Sequence, residues 1–246
     1  MPTPQSTNKI VLCTGANQGL GFAILQVAGL QEPSSVFILA SRNLESGQAA
    51  ARQLAADGVK DIDVVQLDVT NDEQIIEAVK FVEEKYGKLD VLINNAGILK
   101  MAPDQSLATL RQTYNAMLNT NLTSVAVVST TFLPLLHRAA NPRVINVTSG
   151  LGSIQNTLTK KMGRYPPYGA SKVGMNGVTA HMQTAENDRI AAEEEAEGRA
   201  QEEGRIRFYS VAPGVCKTSF TDYKFLYAFD ERSPMTENKT QNASIN

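Results

Sequence analysis

The chain is poor in the residues from which metal centres, disulfide frameworks and histidine-dependent nucleophiles are built. Its 246 residues include two cysteines, Cys13 and Cys216, and two histidines, His137 and His181. Both cysteines lie in apolar stretches, far below the density of a secreted disulfide scaffold, and read as buried thiols. The histidines are distant from one another and have no cysteine pair beside them, which leaves a zinc site or a serine-histidine system without support. An excess of charge is lacking too. Lysine plus arginine number 23 against 25 acidic residues, a net charge of −2, so there is no general basic surface for nucleic acid or an anionic membrane. No apolar run approaches the length of a bilayer span, and the polar stretch Met1 to Lys9 lacks the apolar core of a signal peptide. The expectation is a soluble, cytoplasmic protein that holds no metal and engages neither nucleic acid nor membrane. The length suits a single α/β domain over residues 1–246.

What is present begins with Thr14-Gly15-Ala16-Asn17-Gln18-Gly19-Leu20-Gly21, directly after the apolar run Ile10 to Cys13 and before a helical-looking stretch. Strand, glycine-rich turn, helix is the expected reading. Glycines at 15, 19 and 21 allow dihedrals closed to other residues and a close approach to a pyrophosphate, while free amides at the helix start favour an anion. The spacing departs from Gly-x-Gly-x2-Gly but keeps its mechanism. Taken alone, the motif is a weak signal that an ordinary glycine-rich turn between a strand and a helix could also produce.

The chain then alternates. Val36 to Ala40, Val64 to Leu67, Asp90 to Ile93, Arg143 to Val147 and Ile206 to Val211 are apolar runs suited to strands buried in a parallel sheet. Leu44 to Asp57, Glu73 to Tyr86 and Arg111 to Pro134 read as helices between them, and Tyr168 opens the longest one. Several strand ends carry polar residues, where open α/β sheets bind ligands. After the second strand, Arg42 stands where an NAD-selective site places an acid, and a guanidinium there suits the 2′-phosphate of NADP; it could also be a surface arginine. Asp68 lies within reach of an adenine amine, or caps the next helix. Asn94 and Asn95 can cross-link neighbouring backbone segments, and Gly97 allows close approach of a cofactor. Asn121 interrupts a helix, which ordinarily costs stability and invites a functional explanation. Ser149 ends the fifth strand. Ile154 to Pro167 reads as a polar loop over a pocket. Tyr168 and Lys172, four apart, share a helical face. The charged run from Glu186 to Glu203 reads as a solvated helix end or mobile extension.

Jointly, Thr14-Gly15-x3-Gly19-x-Gly21, Asn94-Asn95-Ala96-Gly97, Asn121, Ser149, Tyr168-x3-Lys172 and Pro213-Gly214 resemble the short-chain dehydrogenase/reductase family, nearest its NADPH-dependent carbonyl reductases, from about Lys9 to Thr218. The resemblance implies a doubly wound, mostly parallel, Rossmann-like α/β sheet. It implies that Leu20, Asp68 and Asn95 line the nucleotide site, and that Cys216 and Thr218 take the Val and Thr positions of the family's Pro-Gly-x-Val-x-Thr stretch beside the nicotinamide. Reducing a ketone needs a proton on oxygen, and a phenol of ordinary pKa is a poor donor and acceptor at neutral pH unless its phenolate is stabilised. Lys172 is placed to lower the pKa of Tyr168, and in the family also holds the nicotinamide ribose hydroxyls. Ser149 would bind the substrate oxygen, and Asn121 is implied to hold a relay water. The expected activity is hydride transfer between NADPH and a ketone or aldehyde, or the reverse alcohol oxidation; the alternative is a nucleotide-binding regulatory protein of the same fold without turnover.

Two departures stand out. The interval from Ser149 to Tyr168, 19 residues, is longer than in most of the family, so substrate identity does not carry over. After Thr218 only 28 mostly polar residues follow, where the family has a final strand. That last strand is expected to be missing and residues 221–246 to form a divergent, flexible tail, leaving the family's usual tetramer in question.

Overall fold

The computed structural model describes residues 8–159, 165–197 and 204–214. Six strands form one parallel sheet: β1 Ile10–Thr14, β2 Val36–Ser41, β3 Ile62–Gln66, β4 Val91–Asn94, β5 Arg143–Val147 and β6 Arg207–Val211, in the order β3-β2-β1-β4-β5-β6. The order reverses between β1 and β4, which opens a crevice at their carboxyl ends. Register is set by pairs such as Ile10 with Val36 and Val11 with Val91.

Successive residues of a strand face opposite ways, so an uninterrupted apolar run buries on both faces only if helices cover both. Here they do. Ile10, Leu12, Ile38, Ala40, Leu92 and Val144 pack with α3 (Asp72–Tyr86) and α5 (Ser124–Leu136) through Ile75, Val82, Val128, Phe132 and Leu136. Val11, Cys13, Phe37, Leu39 and Ile93 pack on the other face with α1 (Gly19–Gln31) and α2 (Leu44–Ala56) through Leu25, Ala50 and Leu54. Cys13 is a free, fully buried thiol, its pKa pushed far up by burial. Helix starts follow capping chemistry: Ser46 N–H donates to Asn43 Oδ1 at 2.7 Å, and Gln74 N–H to Asn71 Oδ1 at 3.0 Å.

Three readings of the sequence change. The long helical region splits into α4 (Leu107–Leu118) and α5 around a π-helical turn, Asn119–Thr123. Ile154–Thr159 is a short helix, α6, rather than loop, because Ser153 caps it by accepting from Asn156 N–H at 3.2 Å. The last helix, α7 (Pro166–Glu197), starts at Pro166-Pro167, since a first turn has no use for their missing N–H groups. It is helical in the charged segment as far as Glu197, the rest of that segment lying outside the described residues, and Glu186 is no part of a solvated end. Glu186 is 5% exposed. It accepts from Ile206 N–H at 2.9 Å and from Arg189 Nη2 at 2.7 Å, and lies 3.1 Å from His137 Nε2.

Among the described residues β6 is a sheet edge, with Phe208 buried and Tyr209 and Val211 exposed. Cys216, Thr218 and the expected tail 221–246 lie outside the described residues, as do residues 160–164 of the expected loop over the pocket. None of the described helices is long and apolar enough to cross a membrane.

Candidate active site

The β1–α1 turn is held by the end of β4. Thr14 Oγ1 accepts from the amides of Asn95 and Ala96, both at 3.0 Å, while Asn95 Nδ2 donates to the carbonyls of Thr14 at 2.9 Å and Gly15 at 3.1 Å. Gly15 and Gly19 have φ of 63° and 59°. A Cβ on Gly15 would fall 2.9 Å from Ala96 Cα, and one on Gly21 would fall 2.5 Å from Asn95 Nδ2 and 2.8 Å from Ala16 Cα. Two of the three glycines are therefore needed to seat the turn on its own protein. Gln18, unlike the residues that start α2, α3 and α4, makes no side-chain cap, so the first amides of α1 face the crevice without an internal acceptor from it. Leu20 sits half-buried in that first turn. The arrangement fits an anionic pyrophosphate.

Around it lie the other nucleotide candidates. Arg42 is exposed just past β2, with its carbonyl accepting from Gln66 Nε2 at 3.2 Å. Asp68, past β3, does not cap α3; Asn71 does. Asp68 instead closes a local turn, its Oδ1 accepting from Thr70 N–H at 2.9 Å and Thr70 Oγ1 at 2.7 Å.

β5 and α7 bring the second group together. The Ser149 hydroxyl hydrogen-bonds the Tyr168 phenol, and Ser149 Oγ accepts from Leu151 N–H at 3.3 Å. One turn along α7, Lys172 is 3% exposed, its ammonium donating to Val147 O at 2.7 Å and lying 5.7 Å from the Tyr168 ring centroid. Burial pushes the phenol up to about 12, partly countered by the Ser149 bond, a direction opposite to the lowering read from the sequence. The reason is desolvation, which outweighs the Ser149 bond; burial likewise lowers the pKa of Lys172 to about 8.

Asn121 is wholly buried in the π-helical turn and every polar atom of its amide is engaged. Its Oδ1 accepts from Ile98 N–H at 2.8 Å; its Nδ2 donates to Ile98 O at 2.9 Å and Ser171 Oγ at 3.1 Å. Ser171 in turn donates to Tyr168 O at 2.7 Å. A Cβ on Gly97 would come 3.2 Å from Asn121 Oδ1, so this glycine makes room for the amide. Sequence reading passed over Ser171, Thr14 and a buried chain in which Asn94 Nδ2 donates to Ser129 Oγ at 2.9 Å and Asn146 Oδ1 at 2.8 Å, and Asn146 Nδ2 donates to Thr179 Oγ1 at 2.9 Å. The available signal was the pair of asparagines closing adjacent strands, Asn94 and Asn146, which the register aligns.

Fold and site together define a doubly wound α/β protein with a glycine-rich anion turn at the switch point and a serine, tyrosine and lysine beside it. Comparison with known proteins narrows the class. The family model for short chain dehydrogenases matches residues 9–226, and the chain belongs to that family of oxidoreductases, which use nicotinamide cofactors. It is similar to a short-chain dehydrogenase/reductase of Aspergillus fumigatus, 56% identical over 220 residues, 89% of this chain and 82% of that one. A short-chain dehydrogenase of Penicillium roqueforti is 37% identical over 87% of this chain and 81% of its own. Among solved structures, an NADPH-bound carbonyl reductase from chicken fatty liver aligns with a TM-score of 0.70 at 25% identity, covering 87% of this chain and 82% of that one. A metagenomic short-chain oxidoreductase in complex with NADP aligns at 0.64 and 26%, covering 90% and 91%.

Proposed function

We propose that the protein is an NADPH-dependent reductase of ketones or aldehydes, able to run the reverse alcohol oxidation, with Tyr168 as its acid and base. The observation that carries this reading is the meeting of a Ser149-bound phenol with a buried lysine at the sheet edge that also holds the glycine turn. Gly15, Gly19, Leu20 and Gly21 would hold the pyrophosphate, Asp68 and Asn95 the adenosine side, and Arg42 the 2′-phosphate, with Cys216 and Thr218 beside the nicotinamide. The NADPH-bound and NADP-bound structural relatives support that choice of cofactor. Reduced nicotinamide supplies the hydride.

The protein's part is placement and the proton. Ser149 has one hydroxyl proton, which bonds the phenol here and would turn to the substrate oxygen once one is bound, where it meets the charge developing on that oxygen. Tyr168, its pKa raised by burial to about 12, carries its proton at neutral pH but is a weak acid until its phenolate is stabilised. The Lys172 ammonium offsets the phenolate that donation leaves, and would also hold the ribose hydroxyls. Both Nδ2 hydrogens of Asn121 are already engaged, so its amide ties Ile98 to Ser171 near the start of α7, and a relay water could reach only the second lone pair of Oδ1.

The test is incubation with NADPH and a panel of aromatic aldehydes, quinones and aliphatic ketones, following cofactor absorbance. Turnover is expected, lost in Tyr168→Phe with NADPH affinity nearly intact. Tight NADPH binding without turnover of any member would favour the regulatory reading, and a Tyr168→Phe protein that keeps most of its activity would remove Tyr168 from the mechanism.

A further inference from the structure

Asn176 lies one helical turn beyond Lys172 on α7, so both face the same way. Its Nδ2 donates to Gly152 O at 3.1 Å. Gly152 closes a tight turn that starts at Ser149, donating its own N–H to Ser149 O at 2.8 Å. That turn lies flat on the helix: a Cβ on Gly152 would be 3.0 Å from Asn176 Nδ2 and 3.0 Å from the Lys172 carbonyl carbon and oxygen. The residue before Ser149 is anchored to the same place, Thr148 Oγ1 donating to Lys172 O at 3.5 Å. The amide's orientation is forced, because reversing it would set oxygen against the Gly152 carbonyl. In that orientation Asn176 Oδ1 is buried and has no hydrogen-bond partner among the described residues. A buried acceptor left unpaired costs stability. An apolar side chain of the same size would fill the position without that cost, so what asparagine adds there is its donor.

We propose that Asn176 is a positioning residue for Ser149: through the Gly152 carbonyl its amide holds the turn Ser149 to Gly152 against α7, at the height where the Ser149 hydroxyl reaches the Tyr168 phenol. This rests on the reading of Ser149 and Tyr168 as the proton-handling pair. The Ser149 bond is also what counters the upward push of burial on Tyr168, so a turn that slides along the helix weakens the acid as well as the grip on the substrate oxygen.

The experiment uses Asn176→Leu, with Asn176→Ala as a smaller variant should leucine not fit, each alone and combined with Ser149→Ala. Tyrosine labelled at ring Cζ gives a Tyr168 resonance, identified by its disappearance in Tyr168→Phe, that reports the hydrogen bond to the phenol at neutral pH without any turnover. Removing Asn176 is expected to move that resonance in the direction Ser149→Ala moves it, by at least half as much, and to have no further effect once Ser149 is alanine. With the best carbonyl of the panel, kcat should fall about tenfold while NADPH affinity stays within about twofold. An unmoved resonance in a folded Asn176 variant overturns the proposal. So does an equal shift with and without Ser149, which would mark a general loosening of α7. Activity surviving in Tyr168→Phe would sink the functional reading instead, and the resonance would still decide whether Asn176 places Ser149.

Discussion

Lys172 holds an ammonium at 3% exposure, and the protein is less stable for it. Its folded pKa of about 8 lies below its ordinary 10.5, so the folded chain binds protons less readily than the unfolded one. Stability therefore rises with pH between about 8 and 10.5, and the full cost of burying the charge applies below 8. That cost is roughly 3 kcal/mol, against about 1.5 to 3 kcal/mol for a hydrogen bond from a charged donor such as the one to Val147 O. Lys172→Met is expected to raise the thermal midpoint at pH 7 while abolishing turnover, with the gain shrinking toward pH 10; thermal melts at both pH values would check it, and a lower midpoint at pH 7 would show that the bond outweighs the burial. Arg42 carries the opposite kind of charge argument. It is exposed, so its folded-state partners count for little, and its value lies in a pairing with a bound phosphate. A charge-assisted pair contributes about 1.5 to 3 kcal/mol, so under the proposed role of Arg42 NADPH is expected to bind at least tenfold tighter than NADH. Arg42→Asp should reverse the preference in a binding titration, and equal affinities in the parent would remove Arg42 from the site.

The β1–α1 turn shows how an element can be legible in type and opaque in cause. Three glycines after an apolar run announce a turn, but the sequence does not say that Gly21 has no room for a side chain, because Asn95 is distant in the chain and only the β1–β4 pairing brings it there. Gly21→Ala is expected to lower both the thermal midpoint and NADPH affinity. Trimming the neighbour in Gly21→Ala/Asn95→Ala should not restore either, since Ala16 Cα at 2.8 Å and Gly15 O at 2.9 Å are backbone and cannot move aside; recovery of NADPH binding in the double variant would refute that account. The strands were readable because β-branched, apolar runs have one economical use in a sheet covered on both faces. Asn121 announced itself by breaking a helical pattern, yet its partners Ile98 and Ser171 are settled by packing alone. α6 escaped notice because its signal was a single serine cap.

At the scale of the molecule, the reversal of strand order places the candidate site at one end of the sheet, while Glu186 ties the structure together elsewhere. It draws the end of α5, the middle of α7 and the start of β6 to one carboxylate through His137, Arg189 and the Ile206 amide. Sequence composition could not separate this residue from the charged run that follows it, because burial depends on which turn of α7 meets β6. Burial pushes the Glu186 carboxyl up, but the hydrogen bonds from Arg189, Ile206 and His137 outweigh it and hold the pKa below the usual carboxylate range. A depressed carboxylate contributes stability above its ordinary pKa and loses it as pH falls through the folded value. Glu186→Gln keeps the shape and removes the charge, leaving Arg189 with Glu193 as its remaining ion-pair partner among the described residues. Removing one partner of a largely buried pair destabilises, though less than for a fully buried one because Arg189 is part-exposed and keeps Glu193, so the thermal midpoint at pH 7 should drop, and the gap to the parent should narrow only below the ordinary carboxylate pKa, as the pH falls through the lowered folded value. Turnover of the folded variant with NADPH should match the parent, because none of these bonds touches Ser149, Tyr168 or Lys172. A gap that stays constant with pH would mean that Glu186 acts through shape and hydrogen bonding, with its charge contributing nothing.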